Sequence, residues 1–293
     1  MNNALITIRH LTKRFAPGVP PALENISAEL PKGEIIGVVG PDGAGKTTLM
    51  RLMAGLMVPT TGSLTVNGLD TVTQAQQLSH IIGYMPQKFG LYEDLTVMQN
   101  LNLYADLRNV VADERDSKLK KLLSFTSLEP FVDRFAKDLS GGMKQKLGLA
   151  CALVKTPTLL LLDEPSVGVD PLSRRELWKM VYDLVDEGIT VVWSTSYLDE
   201  AERCMTTLLL NEGQLLFYGP PAELAKRVEG RTFLIKNIEG SRRQVLFDTL
   251  VQENVLDGVI QGADVRIVTK EKKEPPFRVE TPMQVVAIPP RFE

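Results

Sequence analysis

Short apolar runs that end in glycine or an acid alternate along this chain with longer stretches whose apolar positions recur at helical spacing. Glu34-Ile-Ile-Gly-Val-Val-Gly40 predicts a buried strand. Lys46 to Leu56 predicts a helix with Leu49, Leu52 and Met53 on one face. Thr158-Leu-Leu-Leu-Leu-Asp163 and Thr190-Val-Val-Trp-Ser194 predict two further buried strands. Between them, Ser173 to Glu187 predicts a helix with Leu177, Met180, Val181 and Leu184 as its apolar stripe. This alternation predicts an α/β domain with a largely parallel sheet.

The flanking segments follow other patterns. Ala4-Leu-Ile-Thr-Ile-Arg, Ser27-Ala-Glu-Leu and Ser63-Leu-Thr-Val-Asn predict shorter, one-sided strands with turns such as Asn67-Gly68, hence an antiparallel sheet beside the parallel core. Residues from about 90 to 155 predict a separate helical lobe, carried by Leu95, Leu101, Leu103, Leu107, Leu119 and Leu122 and by a helix from Met143 to Val154. A break at Gly219-Pro-Pro221 closes a main domain of residues 1–220. Residues 221–270 predict a small α+β appendix, with strands at Thr232–Lys236 and Asp264–Thr269 around a helix at Arg242–Gln252. Residues 271–293 are rich in proline and charge, and predict an extended or disordered end without regular structure.

Composition narrows the classes. Of 293 residues, 44% are hydrophobic and 24% charged, which is ordinary for a globular chain. The formal net charge of −3 lacks the basic excess of a nucleic-acid binder, so no nucleic-acid partner is expected. Two isolated cysteines, Cys151 and Cys204, make no disulfide framework and suit a reducing compartment. The N-terminal residues have no secretion-signal pattern, and no apolar run approaches the roughly 18 residues of a membrane span. Membrane association would therefore have to come through a partner.

Two motifs carry chemistry. Gly40-Pro41-Asp42-Gly43-Ala44-Gly45-Lys46-Thr47-Thr48 fits the phosphate-loop pattern and stands between a predicted strand and a predicted helix. Its glycines let backbone N–H groups converge on phosphate oxygens, towards which the following helix points its positive end. Lys46 is placed for the β- and γ-phosphates, the Thr47 hydroxyl for magnesium, and Thr48 for the α-phosphate. Leu159-Leu-Leu-Leu-Asp163-Glu164-Pro165 delivers two acids to the sheet's C-terminal edge, where ligands of such sheets bind. Asp163 would hold Mg2+ through water, and Glu164 would polarise the attacking water as general base. The expected ligands are ATP and Mg2+.

A third stretch, Leu139-Ser-Gly-Gly-Met-Lys-Gln145, opens the Met143–Val154 helix. With it the sequence resembles the ATP-binding cassette family over roughly residues 4–220, with the motifs in the family's order. The resemblance implies a P-loop NTPase fold built from a RecA-like core, an antiparallel β subdomain and a helical subdomain. It implies that Ser140, Gly141 and Gly142 act in trans, closing over ATP held by a second cassette. It places Phe15 against adenine and Gln87 as a sensor of magnesium and the attacking water. Ser166-Val-Gly-Val-Asp170 matches the loop that crosses the dimer interface.

One element departs from the family pattern. After Val191-Val-Trp-Ser-Thr195 the family carries a histidine that donates to the γ-phosphate; here Ser196 stands in its place. His10 and His80, the chain's two histidines, lie in unrelated segments. Loss of one such donor implies a site slower by about 10²–10³-fold.

Tyr84-Met-Pro-Gln-Lys-Phe-Gly-Leu-Tyr-Glu-Asp-Leu-Thr-Val and Ser194-Thr-Ser-Tyr-Leu-Asp-Glu-Ala-Glu resemble drug-resistance exporter ATPases that serve ABC-2 type efflux permeases. That resemblance implies export driven by ATP hydrolysis at the cytoplasmic side of a bacterial inner membrane, through permease subunits. In tandem members a second cassette follows on the same polypeptide, and the stop at Arg291-Phe-Glu293 reads as the end of a first half. Two other readings stand beside this one: a soluble, non-transport cassette such as a ribosome-acting ATPase, and a regulatory cassette that binds ATP without turnover.

Overall fold

The computed structural model describes residues 4–88, 90–272 and 283–290. Two compact units divide at Gly219. The first begins with the antiparallel pair β1 (Ala4–Lys13) and β2 (Leu23–Pro31), then enters the core on β3 (Ile35–Val39). Helix α1 (Lys46–Met53) leads back to β4 (Thr61–Val66) and β5 (Leu69–Asp70), and the short α2 (Ala75–Leu78) to β6 (Ile82–Met85). A helical lobe follows: α3 (Val97–Leu107), α4 (Ala112–Thr126) and α5 (Gly141–Leu153). The chain then returns through β7 (Leu159–Asp163), α6 (Pro171–Asp186), β8 (Thr190–Thr195), α7 (Leu198–Ala201), β9 (Thr206–Asn211) and β10 (Gln214–Gly219).

Two sheets result. The antiparallel sheet runs β2-β1-β4-β5, and the larger sheet runs β10-β9-β3-β8-β7-β6. In the larger sheet β9, β3, β8, β7 and β6 are parallel, and β10 joins β9 antiparallel. Strands β3, β7 and β8 are buried along their whole length, as strands covered on both faces must be. One face packs Ile36, Val38, Leu159, Leu161 and Val192 with α1 and the antiparallel sheet. The other packs Leu160, Leu162, Val191 and Trp193 against Leu177, Trp178, Val181 and Leu184 of α6. The lobe has its own core, with Val97 and Leu101 of α3 against Leu119 and Leu123 of α4 and Leu147 and Cys151 of α5.

Helix ends follow local chemistry. Thr96 and Gln99 form a reciprocal capping box at the start of α3, and Asp170 caps α6 by accepting from the Leu172 and Ser173 amides, each at 3.0 Å. Helix α1 stops at Met53, three residues before the predicted end. There the Gly55 and Leu56 amides turn back to the Leu52 and Arg51 carbonyls at 3.1 and 2.9 Å. Cys151 and Cys204 are both buried free thiols, and burial pushes the Cys204 thiol up to about 12. No helix among the described residues is long and apolar enough to cross a membrane.

The second unit contains α8 (Pro221–Lys226), β11 (Thr232–Lys236), α9 (Arg242–Leu250), β12 (Val255–Gln261), β13 (Asp264–Thr269) and β14 (Gln284–Ala287). Its sheet has the order β12-β13-β11-β14 around Phe233, Ile235, Val265 and Ile267. Strand β14 corrects the expectation of an irregular end for 271–293. Gln284-Val-Val-Ala287 holds two β-branched valines and no proline and pairs with β11 from Lys236↔Gln284 to Phe233↔Ala287, and Pro289 and Pro290 follow the strand without interrupting it. Residues 273–282 and 291–293 of that expectation lie outside the described residues.

Leu161 is fully buried at the centre of β7. Leu161→Ala is expected to cost about 2–5 kcal/mol of stability, measured as a shift of the urea unfolding midpoint.

Candidate nucleotide site

The register of the parallel strands brings three chain exits to one edge. Val39 pairs with Thr195, and Asp163 with Ser194. The loop 40–45, the Asp163-Glu164 pair and the turn at Ser196 therefore leave the sheet side by side. A cleft of about 250 Å3 opens there, lined by Asp42, Gly43, Gly45, Lys46, Thr47, Thr48, Gln87 and Glu164, with Ala22 at its side. Gly45, the residue before α1, adopts φ 103°, and a β-carbon there would lie 2.4 Å from the Ala22 carbonyl oxygen.

Lys46 is almost wholly buried. Its ammonium donates to the Gly40 carbonyl at 2.8 Å and the Pro41 carbonyl at 3.0 Å, and stands 3.0 Å from Glu164 Oε1. The exposed Asp42 carboxylate lies farther off, at 3.9 Å. Glu164 is turned towards the lysine by its own backbone, which adopts φ 50°, a left-handed conformation costly for a residue with a side chain. The turn is held by the Glu164 amide, which donates to the Ser194 hydroxyl at 2.9 Å. Gln87 Nε2 donates to Glu164 Oε2 at 2.7 Å. Glu164 thus has a cation on one oxygen and an amide on the other.

Asp163 sits deeper. Its Oδ1 accepts from the Ser194 hydroxyl at 2.6 Å and the Thr47 hydroxyl at 3.2 Å; its Oδ2 accepts from the Tyr84 hydroxyl at 3.4 Å. Burial, and then the Asp163 charge, push the Tyr84 phenol up to about 12, so it remains a donor at neutral pH. Thr47 and Asp163 offer adjacent hard oxygen donors. That suits Mg2+, which keeps waters and phosphate oxygens and needs few protein ligands.

The other expected residues lie elsewhere. Ala44 turns its methyl into the core, and Gly40 and Pro41 meet Lys46 through their carbonyls. Phe15 is 62% exposed on the loop joining β1 to β2, with the Lys13 ammonium 5.4 Å from its ring centroid. Ser196 is exposed beyond the end of β8 and does not line the cleft. Ser140, Gly141 and Gly142 are also outside it: Ser140 caps α5 by accepting from the Met143 amide at 3.3 Å. Sequence reasoning missed Tyr84 and Ser194. The signal for Ser194 was present, since a hydroxyl inside a buried strand needs a partner.

The family described as ABC transporter matches residues 23–167. The chain is 33% identical over 248 residues to Nod factor export ATP-binding protein I of Cupriavidus metallidurans, covering 84% of this chain and 80% of that protein. The chain belongs to the ABC transporter ATP-binding family. It is also 54% identical over 275 residues to the probable multidrug ABC transporter ATP-binding protein YbhF of Escherichia coli K12. That match covers 94% of this chain and spans 48% of the relative's length, in its N-terminal half. A dimeric ATP-binding cassette in a post-hydrolysis state bound to ADP and Pi superposes with a TM-score of 0.67 at 25% identity, over 73% of this chain and 98% of that one. An ATP-binding subunit of an ABC transporter superposes with a TM-score of 0.69 at 27% identity, over 85% of this chain and 100% of that one. Lys46, Thr47, Gln87, Asp163 and Glu164 all lie within the residues matched by the family.

Lys46→Met in this cassette leaves Glu164 buried without its cation. A loss of about 3–5 kcal/mol in urea unfolding is expected, most of it restored by adding Glu164→Gln in the same chain.

Proposed function

We propose that this cassette binds Mg-ATP in the 40–48 loop and hydrolyses it to ADP and phosphate, as one of a pair of cassettes driving an ABC-2 type export permease at the cytoplasmic side of a bacterial inner membrane. The observation that carries this reading is the convergence of Lys46, Thr47, Gln87 and Glu164 on one cleft, with the Thr47 hydroxyl bonded to the buried Asp163. The relatives' names, a multidrug transporter in one and Nod factor export in another, share transport and differ in cargo. Their transport roles favour a permease over a ribosome as the partner. The reading includes a second cassette, in keeping with the relative that is twice as long.

The chemistry follows from the charges. A γ-phosphate entering the cleft offers Lys46 a second anionic partner and draws it from Glu164. The released carboxylate, still held by Gln87 at 2.7 Å, is then free to accept a proton from the attacking water. Mg2+, held by Thr47 and through water by Asp163, would neutralise charge on the phosphate oxygens. Phe15 supplies a ring face for the base, and Ser140, Gly141 and Gly142 close over the ATP of the opposing cassette. Ser196 is shorter than imidazole and carries no positive charge, so this chain's own site turns over slowly.

Glu164→Gln is expected to keep ATP binding while lowering hydrolysis about 10²–10⁴-fold. Ser196→His, assayed with the permease and opposing cassette present, is expected to raise turnover of this site by about 10²–10³-fold. An unchanged rate in the histidine variant would show that Ser196 does not limit the site.

A further inference from the structure

Glu200 of α7 is fully buried and takes no part in the chemistry above. Its Oε2 accepts from the Trp193 indole at 3.0 Å and from the Thr195 hydroxyl at 2.6 Å, both on β8. The Thr195 hydroxyl also accepts from the Tyr197 amide at 2.9 Å. These bonds bracket Ser196 on both sides. Glu200 Oε1 and Arg174 Nε are buried without hydrogen bonds, and they face each other at 3.7 Å. The Arg174 guanidinium also lies 4.7 Å from the Tyr197 ring centroid and 3.6 Å from the Asp199 carboxylate.

Arg174 belongs to the first turn of α6, next to Ser173. Gly142 of α5 packs so tightly there that a β-carbon on it would lie 2.3 Å from the Ser173 hydroxyl. One helical turn therefore touches the 140–142 segment on one side and the loop bearing Ser196 on the other. The Glu200 carboxylate is fully buried and Arg174 Nε is buried within a partly exposed side chain; such a pair favours direct contact, and their 3.7 Å separation is longer by about 0.8 Å than a charge-assisted hydrogen bond.

We propose that Glu200 and Arg174 are a positioning couple that links the Ser196 loop to the Ser140–Gly142 segment. Through it, nucleotide at this chain's own loop and the surface offered to an opposing cassette sense each other. The couple rests on the ATPase reading above, and coupling of this kind is reciprocal.

The chain's two tryptophans, Trp178 and Trp193, stack within this cluster at 4.2 Å between centroids, so intrinsic emission reads it directly. The experiment titrates ATP into the full chain while following tryptophan emission, with affinity measured independently by competition with a fluorescent ATP analogue. Wild type is expected to show a saturable emission change whose midpoint matches binding. Glu200→Gln keeps an acceptor for Trp193 and Thr195 and removes the charge facing Arg174. It is expected to bind ATP within about twofold of wild type and to lose most of the emission change, as is Arg174→Met, with the double variant no worse than either single. Should Glu200→Gln fail to fold, Arg174→Met decides by the same two readouts. Retention of the emission change in the variants, or additive losses in the double variant, would overturn the couple. A wild-type chain that binds ATP without any emission change also overturns it and leaves the ATPase reading standing. A chain that binds no ATP overturns the ATPase reading itself.

Discussion

Because Val39 stands level with Thr195, and Asp163 level with Ser194, three segments of distant sequence leave the sheet at one height. The site depends on that parallel register. A one-residue slip of β7 against β8 would exchange its two faces, sending Leu161 away from α1 and taking Asp163 from the Ser194 hydroxyl. The apolar runs that build the core are therefore the same runs that set the chemistry. Five consecutive buried residues in each of β3 and β7 hold the register, and the polar residues just past their ends inherit the position.

Charge is handled with equal economy at this edge. Lys46 and Glu164 are both almost wholly buried, and each is the other's counterion at 3.0 Å. The pair stands over a backbone turn at φ 50° that the neighbouring strand holds through the Ser194 hydroxyl and carbonyl. Local strain and buried charge meet on the residue assigned the proton transfer, the pattern expected where function outranks stability.

Much of this was legible in the sequence. The long apolar strands β3, β7 and β8 and the loop glycines are local signals; motif spacing brought Lys46, Thr47, Asp163 and Glu164 together before any coordinates, and the family resemblance added Gln87. What escaped was short or contextual. Strand β6 has four residues, one of them Gly83, and β14 sits among prolines; neither carries a periodicity of its own. Ser194, Tyr84 and Glu200 escaped for another reason. Their partners are 31, 79 and 26 positions away, at Asp163 and Arg174, and a hydroxyl or carboxylate in a run of letters does not name a partner that only strand register supplies.

Phe15 projects from a loop of the antiparallel sheet, whereas the phosphate groups would meet loops of the parallel one. On the proposed reading, base and triphosphate are held by different layers of the protein. A phenyl face stacks on any purine and has neither donor nor acceptor with which to read the atoms around its rim. Discrimination would then fall on the length of the phosphate chain, and guanine would stack on Phe15 about as well as adenine.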